Sequence, residues 1–322
     1  MKIDFYFDVI SPYAYMTYAV LLRYEKLWNF KLELHPIFLG GIMKMTGNKP
    51  PALLPARTGY VIEEQARARA FFGMKDMLAA PQNFFSEVAR EVVQIQRLLL
   101  AAKEVLMQTN HNQNHGRDGK SQGDGGKKKM KSDLIFRQIV QRAFDLIHTK
   151  AGRRPGTDDV KLTAKNISGL LDVTESESPI AELMITPTDS LGTKLSIEKR
   201  RQIWWLARSE EIKKKLVKNT EACVATGAFG VPWMLVEADD PGSSKKLRYF
   251  GSDRFEDMAF FCNKQWLGPD PDRTLRRRAL ITPERMSVVS SKYAGPAINP
   301  ILGGKADEQN SSQEDRMLKS KL

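Results

Sequence analysis

The stretch Ile3-Asp4-Phe5-Tyr6-Phe7-Asp8-Val9-Ile10-Ser11-Pro12-Tyr13 decides how this chain folds. Ile3, Phe5, Phe7 and Val9 alternate with Asp4, Tyr6 and Asp8, the period of a strand with one apolar face. Ser11-Pro12 then reads as a helix start, because serine caps the first free N–H groups and proline is tolerated at the first helical position. From Tyr13 to Leu27 the apolar spacing is helical, with Tyr15, Tyr18, Ala19 and Leu22 on one stripe. Lys31 to Ile37 alternates again, with Leu32 and Leu34 set against Lys31, Glu33 and His35. The first forty residues therefore predict strand, helix, strand, the opening of an α/β unit with a right-handed crossover.

Pro50, Pro51 and Pro55 interrupt the chain, and strand signals vanish beyond them. Residues 59–79, 83–107, 133–150, 179–185 and 197–219 are mostly helix-forming. Gln108–Ser132 is rich in Asn, Gly, Lys and Gln and is expected to be a disordered loop, since it has too little apolar surface to offset its ordering entropy. Strand character returns at Trp233–Ala238 and, after the turn cluster 239–243, at Lys246–Phe250, a hairpin signal. Gly251-Ser252 is expected to cap a helix running to about Trp266, and the chain after Pro269 reads as a polar tail. The economical architecture is α/β: a thioredoxin-like domain built from 1–50 and 220–268, with a large helical domain, 51–219, inserted between its β-α-β and β-β-α halves, and an extended tail over 269–322.

The chain has 322 residues, 42% hydrophobic and 27% charged, which is globular composition. Its two cysteines, Cys223 and Cys262, exclude a disulfide scaffold and a cysteine-built zinc module, and read as half-buried small hydrophobes. No apolar run is long enough to predict a membrane span, and Met1-Lys2-Ile3-Asp4 enters the first strand without the apolar core of a secretory signal. More than half of the net charge of +12 lies in 117–131 and 269–322, two segments that look peripheral and solvated. The basic loop has no interleaved aromatics, so it offers no stacking platform for nucleic acid. Gly116–Ser121 only hints at a phosphate loop, because position 114 is Asn114 and no strand precedes it. His111 and His115 do not amount to a metal site. Trp204-Trp205 reads as core or interface.

Chemistry is expected at three places. In thioredoxin-like oxidoreductases the turn after the first strand carries C-x-x-C. Here Ser11 and Ala14 stand at those positions, which excludes dithiol exchange by the chain's own sulfurs. Val231-Pro232 occupies the place of a cis-proline before the third strand, where a free N–H and C=O can pair with an extended peptide. Gly251-Ser252-Asp253-Arg254 is expected to open a helix and to offer its N–H groups to an anion. The common ligand is a short extended peptide, anionic at its end, with a reactive group opposite Ser11. Glutathione fits that description.

The stretches 5–13 (F-Y-F-D-V-I-S-P-Y), 41–55 (G-I-M-K-M-T-G-N-K-P-P-A-L-L-P), 221–232 (E-A-C-V-A-T-G-A-F-G-V-P) and 250–254 (F-G-S-D-R) together resemble the kappa-class glutathione transferases. That superfamily also holds the glutathione-dependent 2-hydroxychromene-2-carboxylate isomerases. The resemblance covers roughly 3–72 and 203–268. It implies a transferase that uses glutathione as co-substrate, activated as a thiolate for attack on small electrophiles or peroxides. Ser11 would be catalytic, its hydroxyl bonded to the glutathione sulfur, with Pro12 and Tyr13 lining the turn. Asn48 would contact the tripeptide, Val231 beside Pro232 would pair with the cysteinyl unit, and Ser252 and Asp253 would hold the γ-glutamyl end. Arg57 falls where the family tends to have lysine and could pair the glycyl carboxylate, with Lys49 as its rival. A homodimer is implied as well. The alternatives are an isomerase that returns glutathione unchanged and a glutathione-binding protein without turnover. Ser320-Lys321-Leu322 reads as a peroxisomal address recognised by an import receptor, so the expected location is the peroxisome, with cytosol and mitochondrion as further possibilities.

Overall fold

Ile3, Phe5 and Phe7 are fully buried, and their face of strand β1 (Lys2–Phe7) is the floor of the main core. The computed structural model describes residues 1–108, 122–172, 195–238 and 246–279, without the side chains of 108, 122–128 and 276–279. Residues 1–274 form one compact unit; of the second, 275–322, only the residues up to 279 are described. His111, His115, Gly116–Ser121, residues 179–185 and Ser320–Leu322 lie outside the described residues.

Strand β1 leads into α1 (Pro12–Trp28), then β2 (Lys31–Pro36) and the short α2 (Leu39–Thr46). Helices α3 (Pro55–Phe71), α4 (Ala89–Gln108), α5 (Gln122–His148), α6 (Ala164–Gly169), α7 (Ile197–Leu206) and α8 (Glu210–Ala225) follow. Strands β3 (Trp233–Glu237) and β4 (Leu247–Phe250) come next, then α9 (Phe255–Phe261) and α10 (Pro271–Ala279). The sheet order is β2-β1-β3-β4. Strands β1 and β2 are parallel, Phe5 beside Leu34, whereas β3 runs antiparallel to both neighbours, with Tyr6 beside Trp233 and Trp233 beside Phe250.

One face of the sheet packs against α1, α4 and α5 in a single apolar cluster that includes Phe5, Phe7, Tyr18, Leu99, Ile139 and Phe144. The other carries a smaller cluster of Ile37, Ile42, Cys223, Ala228, Val231, Trp233 and Leu235. Polar pairs sit where the two layers meet. Asp4, almost fully buried on the second face, accepts from His35 Nε2 at 2.9 Å and pairs with Lys2 at 2.9 Å. Burial works to raise its pKa, but the bonds from His35 and Lys2 prevail and hold the carboxyl well below the usual range. Between α1 and α5, the Arg137 guanidinium bonds Glu25, with one N–H···O contact of 3.0 Å. Residues 265–269 strap across α1, with Trp28 donating to the Gln265 carbonyl at 2.9 Å and Tyr24 to that of Gly268 at 2.6 Å.

Five expectations are corrected. Asp8 and Val9 leave the strand early, because β1 ends at Phe7. The loop expected over Gln108–Ser132 is helical from Gln122, the first turns of α5; its C-terminal residue Ser132 is buried, anchored by the apolar face that follows it. The helix expected from Gly251-Ser252 to Trp266 spans only Phe255–Phe261, and the region after Pro269 begins with a helix, α10. The expected stripe on α1 is also too narrow: Ala14–Tyr18, Val20–Leu22, Tyr24 and Trp28 are buried, so the helix is enclosed on most of its circumference.

Phe144 is the clearest test of this packing. Its ring meets Phe7 at 5.7 Å, Tyr15 at 5.0 Å and Tyr18 at 5.6 Å, with no exposure. Phe144→Ala should cost about 3–5 kcal/mol, the range for truncating a fully buried aromatic. Equilibrium denaturation measures this, and a loss below about 1 kcal/mol would show that the site can collapse around the void.

Candidate active site

The turn between β1 and α1, residues 8–11, is buried throughout, so its backbone polar groups need partners from the protein. The Asp8 carboxylate supplies several. Its Oδ1 accepts from Ile10 N at 3.2 Å and from Gln96 Nε2 of α4 at 2.8 Å, and its Oδ2 accepts from Leu39 N at 2.8 Å. Ser11 N donates to the Asp8 carbonyl at 3.0 Å. From α5, His148 Nε2 lies 2.8 Å from the Val9 carbonyl, which fixes the neutral tautomer carrying its proton on Nε2, since a carbonyl only accepts. Burial pushes the Asp8 carboxyl up to about 6 against its three donors, and pushes His148 down to about 4.

Ser11 is the N-cap of α1. Its Oγ accepts from Ala14 N at 3.2 Å, which leaves the hydroxyl hydrogen free to donate. The residue is only 6% exposed, so a donated bond there is shielded from water. Pro12 takes the first helical position and no acidic residue sits in the first turn, so the positive end of a seventeen-residue helix is left open to an anion. Tyr13 donates its hydroxyl to Glu64 of α3 at 2.8 Å. Burial and that carboxylate both push its phenol upward, so Tyr13 stays neutral and cannot serve as a base.

The sheet topology brings the other elements to the same edge. Parallel β1 and β2 end there, antiparallel β3 begins there and β4 ends there. Val231-Pro232 is cis, as its place in the sequence predicts, and no described residue pairs with the backbone N–H or C=O of Val231. Asn48, two residues beyond α2, donates Nδ2 to the Phe229 carbonyl at 2.7 Å and so ties its loop to the segment before the cis bond. Gly251 N donates to the Pro232 carbonyl at 3.1 Å, which sets buried Ser252 beside the same segment. Phe229 and Phe250, both exposed, meet with ring centroids 4.5 Å apart at a tilted angle and add an apolar wall that the sequence did not single out.

Ser252 and Asp253 do not open a helix. Helix α9 starts at Phe255, is capped by Arg254 without a side-chain bond, and carries Glu256 and Asp257 in its first turn. The helix terminus expected at Ser252 and Asp253 therefore lies further along the chain. Ser252 and Asp253 lie instead in the bend after Gly251, whose φ of +96° is a conformation glycine adopts without strain. Asp253 is exposed and loosely paired with Arg254 at 3.6 Å. Arg57 is exposed in the first turn of α3, with no partner for its guanidinium among the described residues. Cys223 belongs to the smaller core, where burial pushes its thiol up to about 12, an inert group. Two clefts of about 280 and 390 Å³ lie along α4 and include none of these residues. Asp8, Gln96 and His148 escaped the sequence reading; the only signal was a carboxylate flanked by Phe7, Val9 and Ile10.

Residues 2–120 match the DsbA-like thioredoxin domain family. Glutathione S-transferase kappa 1 of Rattus norvegicus is 26% identical over 270 residues, 84% of this chain and 94% of that protein. The Caenorhabditis elegans protein of the same name is 26% identical over 279 residues, covering 86% and 97%. The chain is similar to the kappa-class glutathione transferases. Its fold is α/β and thioredoxin-like, with the mixed four-stranded sheet described above. Among solved structures, 2-hydroxychromene-2-carboxylate isomerase aligns with a TM-score of 0.47 and 15% identity, covering 88% of this chain and all of that one. A cytosolic disulfide reductase, DsbM of Pseudomonas aeruginosa, aligns with a TM-score of 0.42 and 14% identity, covering 81% and 97%.

Asp8 and His148 act on acid stability in opposite directions. The folded pKa of Asp8 is raised, so its contribution is present below the unfolded value of 3.8 and lost as pH rises through about 6. His148 is depressed, so its contribution is present above 6.5 and lost as pH falls through about 4. Between those limits the two offset each other. Asp8→Asn removes one side of the balance: its stability deficit relative to wild type should widen by up to about 3 kcal/mol between pH 7 and pH 4. Urea denaturation at both pH values measures the deficit, and one that is independent of pH would contradict the burial argument.

Proposed function

We propose that this protein is a kappa-class glutathione S-transferase that binds glutathione as co-substrate across the edge formed by Ser11, Asn48, Val231 and Ser252. The observation that carries the reading is their convergence at one sheet edge, with a hydroxyl hydrogen on Ser11 left to donate and a backbone N–H and C=O at Val231 that no described residue pairs. Similarity to named transferases over five sixths of the chain supports it.

The cysteinyl backbone of glutathione pairs with Val231 as a short added strand. Asn48 and Pro232 bound the tripeptide on either side, and Ser252 and Asp253 meet the γ-glutamyl head group. Asp253 suits the ammonium, and its exposure leaves it in the bend where a zwitterion can reach it. Arg57, or Lys49, reaches the glycyl carboxylate. The thiol then lies at the start of α1 beside Ser11, Pro12 and Tyr13. A free thiol has a pKa near ~8.5, so little is thiolate at neutral pH. The Ser11 hydroxyl donates to the anion and the helix end favours it, together about 2–3 kcal/mol, enough for one to two pKa units. The thiolate attacks the electrophile, a carbon–sulfur bond forms, and the leaving group departs with its electron pair. A peroxide would be attacked at oxygen by the same sulfur: the O–O bond breaks, the distal oxygen leaves as an alkoxide that is protonated to the alcohol, and the glutathione sulfur is left as a sulfenic acid.

Ser11→Ala should keep the fold and most glutathione affinity, raise the pKa of the bound thiol, and lower the rate at pH 6.5 by about 10- to 100-fold. Thiolate absorbance of the bound ligand and turnover with an aryl halide read both quantities. Unchanged turnover would remove Ser11 from the mechanism. A wild-type protein that binds glutathione without shifting its thiol pKa would be a binding protein.

A further inference from the structure

We infer that Asp8 is a positioning residue that couples the Ser11 turn to the loop carrying Asn48, with Gln96 of α4 orienting its carboxylate. The inference rests on the glutathione site proposed above. The three donors on Asp8 come from three separate parts of the chain: Ile10 beside Ser11, Leu39 at the start of α2, and Gln96 in the middle of α4. Helix α2 lacks a cap of its own, since the residue before it is Phe38, which makes no side-chain capping bond. The Asp8 carboxylate does that work from another element. Helix α2 has eight residues, and Asn48 follows after Gly47 and reaches the Phe229 carbonyl, two residues before Val231. A set of bonds therefore runs from the Ser11 turn through Asp8 and α2 to the Phe229 carbonyl, two residues before Val231.

Gln96 shows what that arrangement costs. It is fully buried, and its Oε1 has no hydrogen-bond partner among the described residues. A buried orphan acceptor costs about 1–3 kcal/mol. An aliphatic side chain would avoid that cost, but only a donor can hold the carboxylate in place. The group's surroundings favour a direct effect of its own charge. On it bear the N–H groups of Ile10 and Leu39 and the Gln96 amide, and no charged side chain among the described residues. The nearest titratable group from α5, His148, bonds to Val9 and changes charge only near pH 4. Ionised, Asp8 accepts from all three donors. Protonated, one of its oxygens carries a hydrogen toward a donor, and a link is lost.

The test uses S-methylglutathione, which has no thiol to titrate, and measures its dissociation constant by calorimetry from pH 5 to pH 8 on the full chain. Wild type should bind about tenfold more weakly at pH 5 than at pH 8, with an inflection near pH 6, the loss of one hydrogen bond to a charged group. Asp8→Asn presents an NH₂ to one of the backbone donors, so it should bind weakly at every pH, without the inflection. Gln96→Met removes one donor from the charged form and should move the inflection to higher pH. That variant keeps the volume of the side chain and serves where Asp8→Asn does not fold. A wild-type affinity that is flat across this range, or a Gln96→Met profile identical to wild type, would overturn the coupling. If wild type binds glutathione and S-methylglutathione at no pH, the site reading itself fails, and the inference fails with it.

Discussion

A buried chain reversal has to find a partner for every N–H and C=O it takes out of water, and the turn at residues 8–11 is such a reversal. Regular structure cannot supply those partners, because β1 has ended and α1 has not begun. Side chains help instead: Asp8 accepts from Ile10 N within the turn, His148 of α5 donates to the Val9 carbonyl, and Gln96 of α4 holds the Asp8 carboxylate. These bonds brace the turn that carries Ser11.

This constraint changes the meaning of the helices between β2 and β3. By sequence they are an addition to a small α/β unit. In space α4 and α5 cover the apolar face of β1, share one core with α1, and each sends a polar side chain to the turn at residues 8–11. Thioredoxin-like turns that carry cysteines hold their own sulfur. Under the proposed function the sulfur would arrive with the ligand, so the protein would have to present a hydroxyl, a helix end and an edge of free backbone in fixed relation. Bracing from outside the sheet suits that requirement.

The edge itself comes from strand direction. Because β1 and β2 run parallel and β3 runs against them, the end of β1, the end of β2 and the start of β3 fall together. Ser11, Asn48 and Val231 are far apart in sequence, and strand direction brings their segments to one edge, where the bond from Asn48 to the Phe229 carbonyl ties two of them together. Ser252 joins them through the bond from Gly251 to Pro232.

Much of this was legible in the chain. Alternation at 3–7 and 31–36, Ser11-Pro12 ahead of a helical period, and a hairpin signal around 239–243 are local patterns, and local geometry obeys them. Val231-Pro232 was legible because its place before a strand is a local fact too. The start of the helix after Phe250 was misread, since Gly-Ser resembles a cap and only the left-handed Gly251 and the acidic residues at 256 and 257 displace it. Composition misled at 122–132, where a polar, glycine-containing segment is helical because α5 continues into a buried apolar face. Asp8 is the clearest division between the two levels. Its alternation placed it on the polar side of a strand, whereas tertiary packing buried it and gave it three donors up to 88 residues away. No periodicity encodes that, because a hydrogen bond between distant elements depends on where the chain brings them and not on what precedes them.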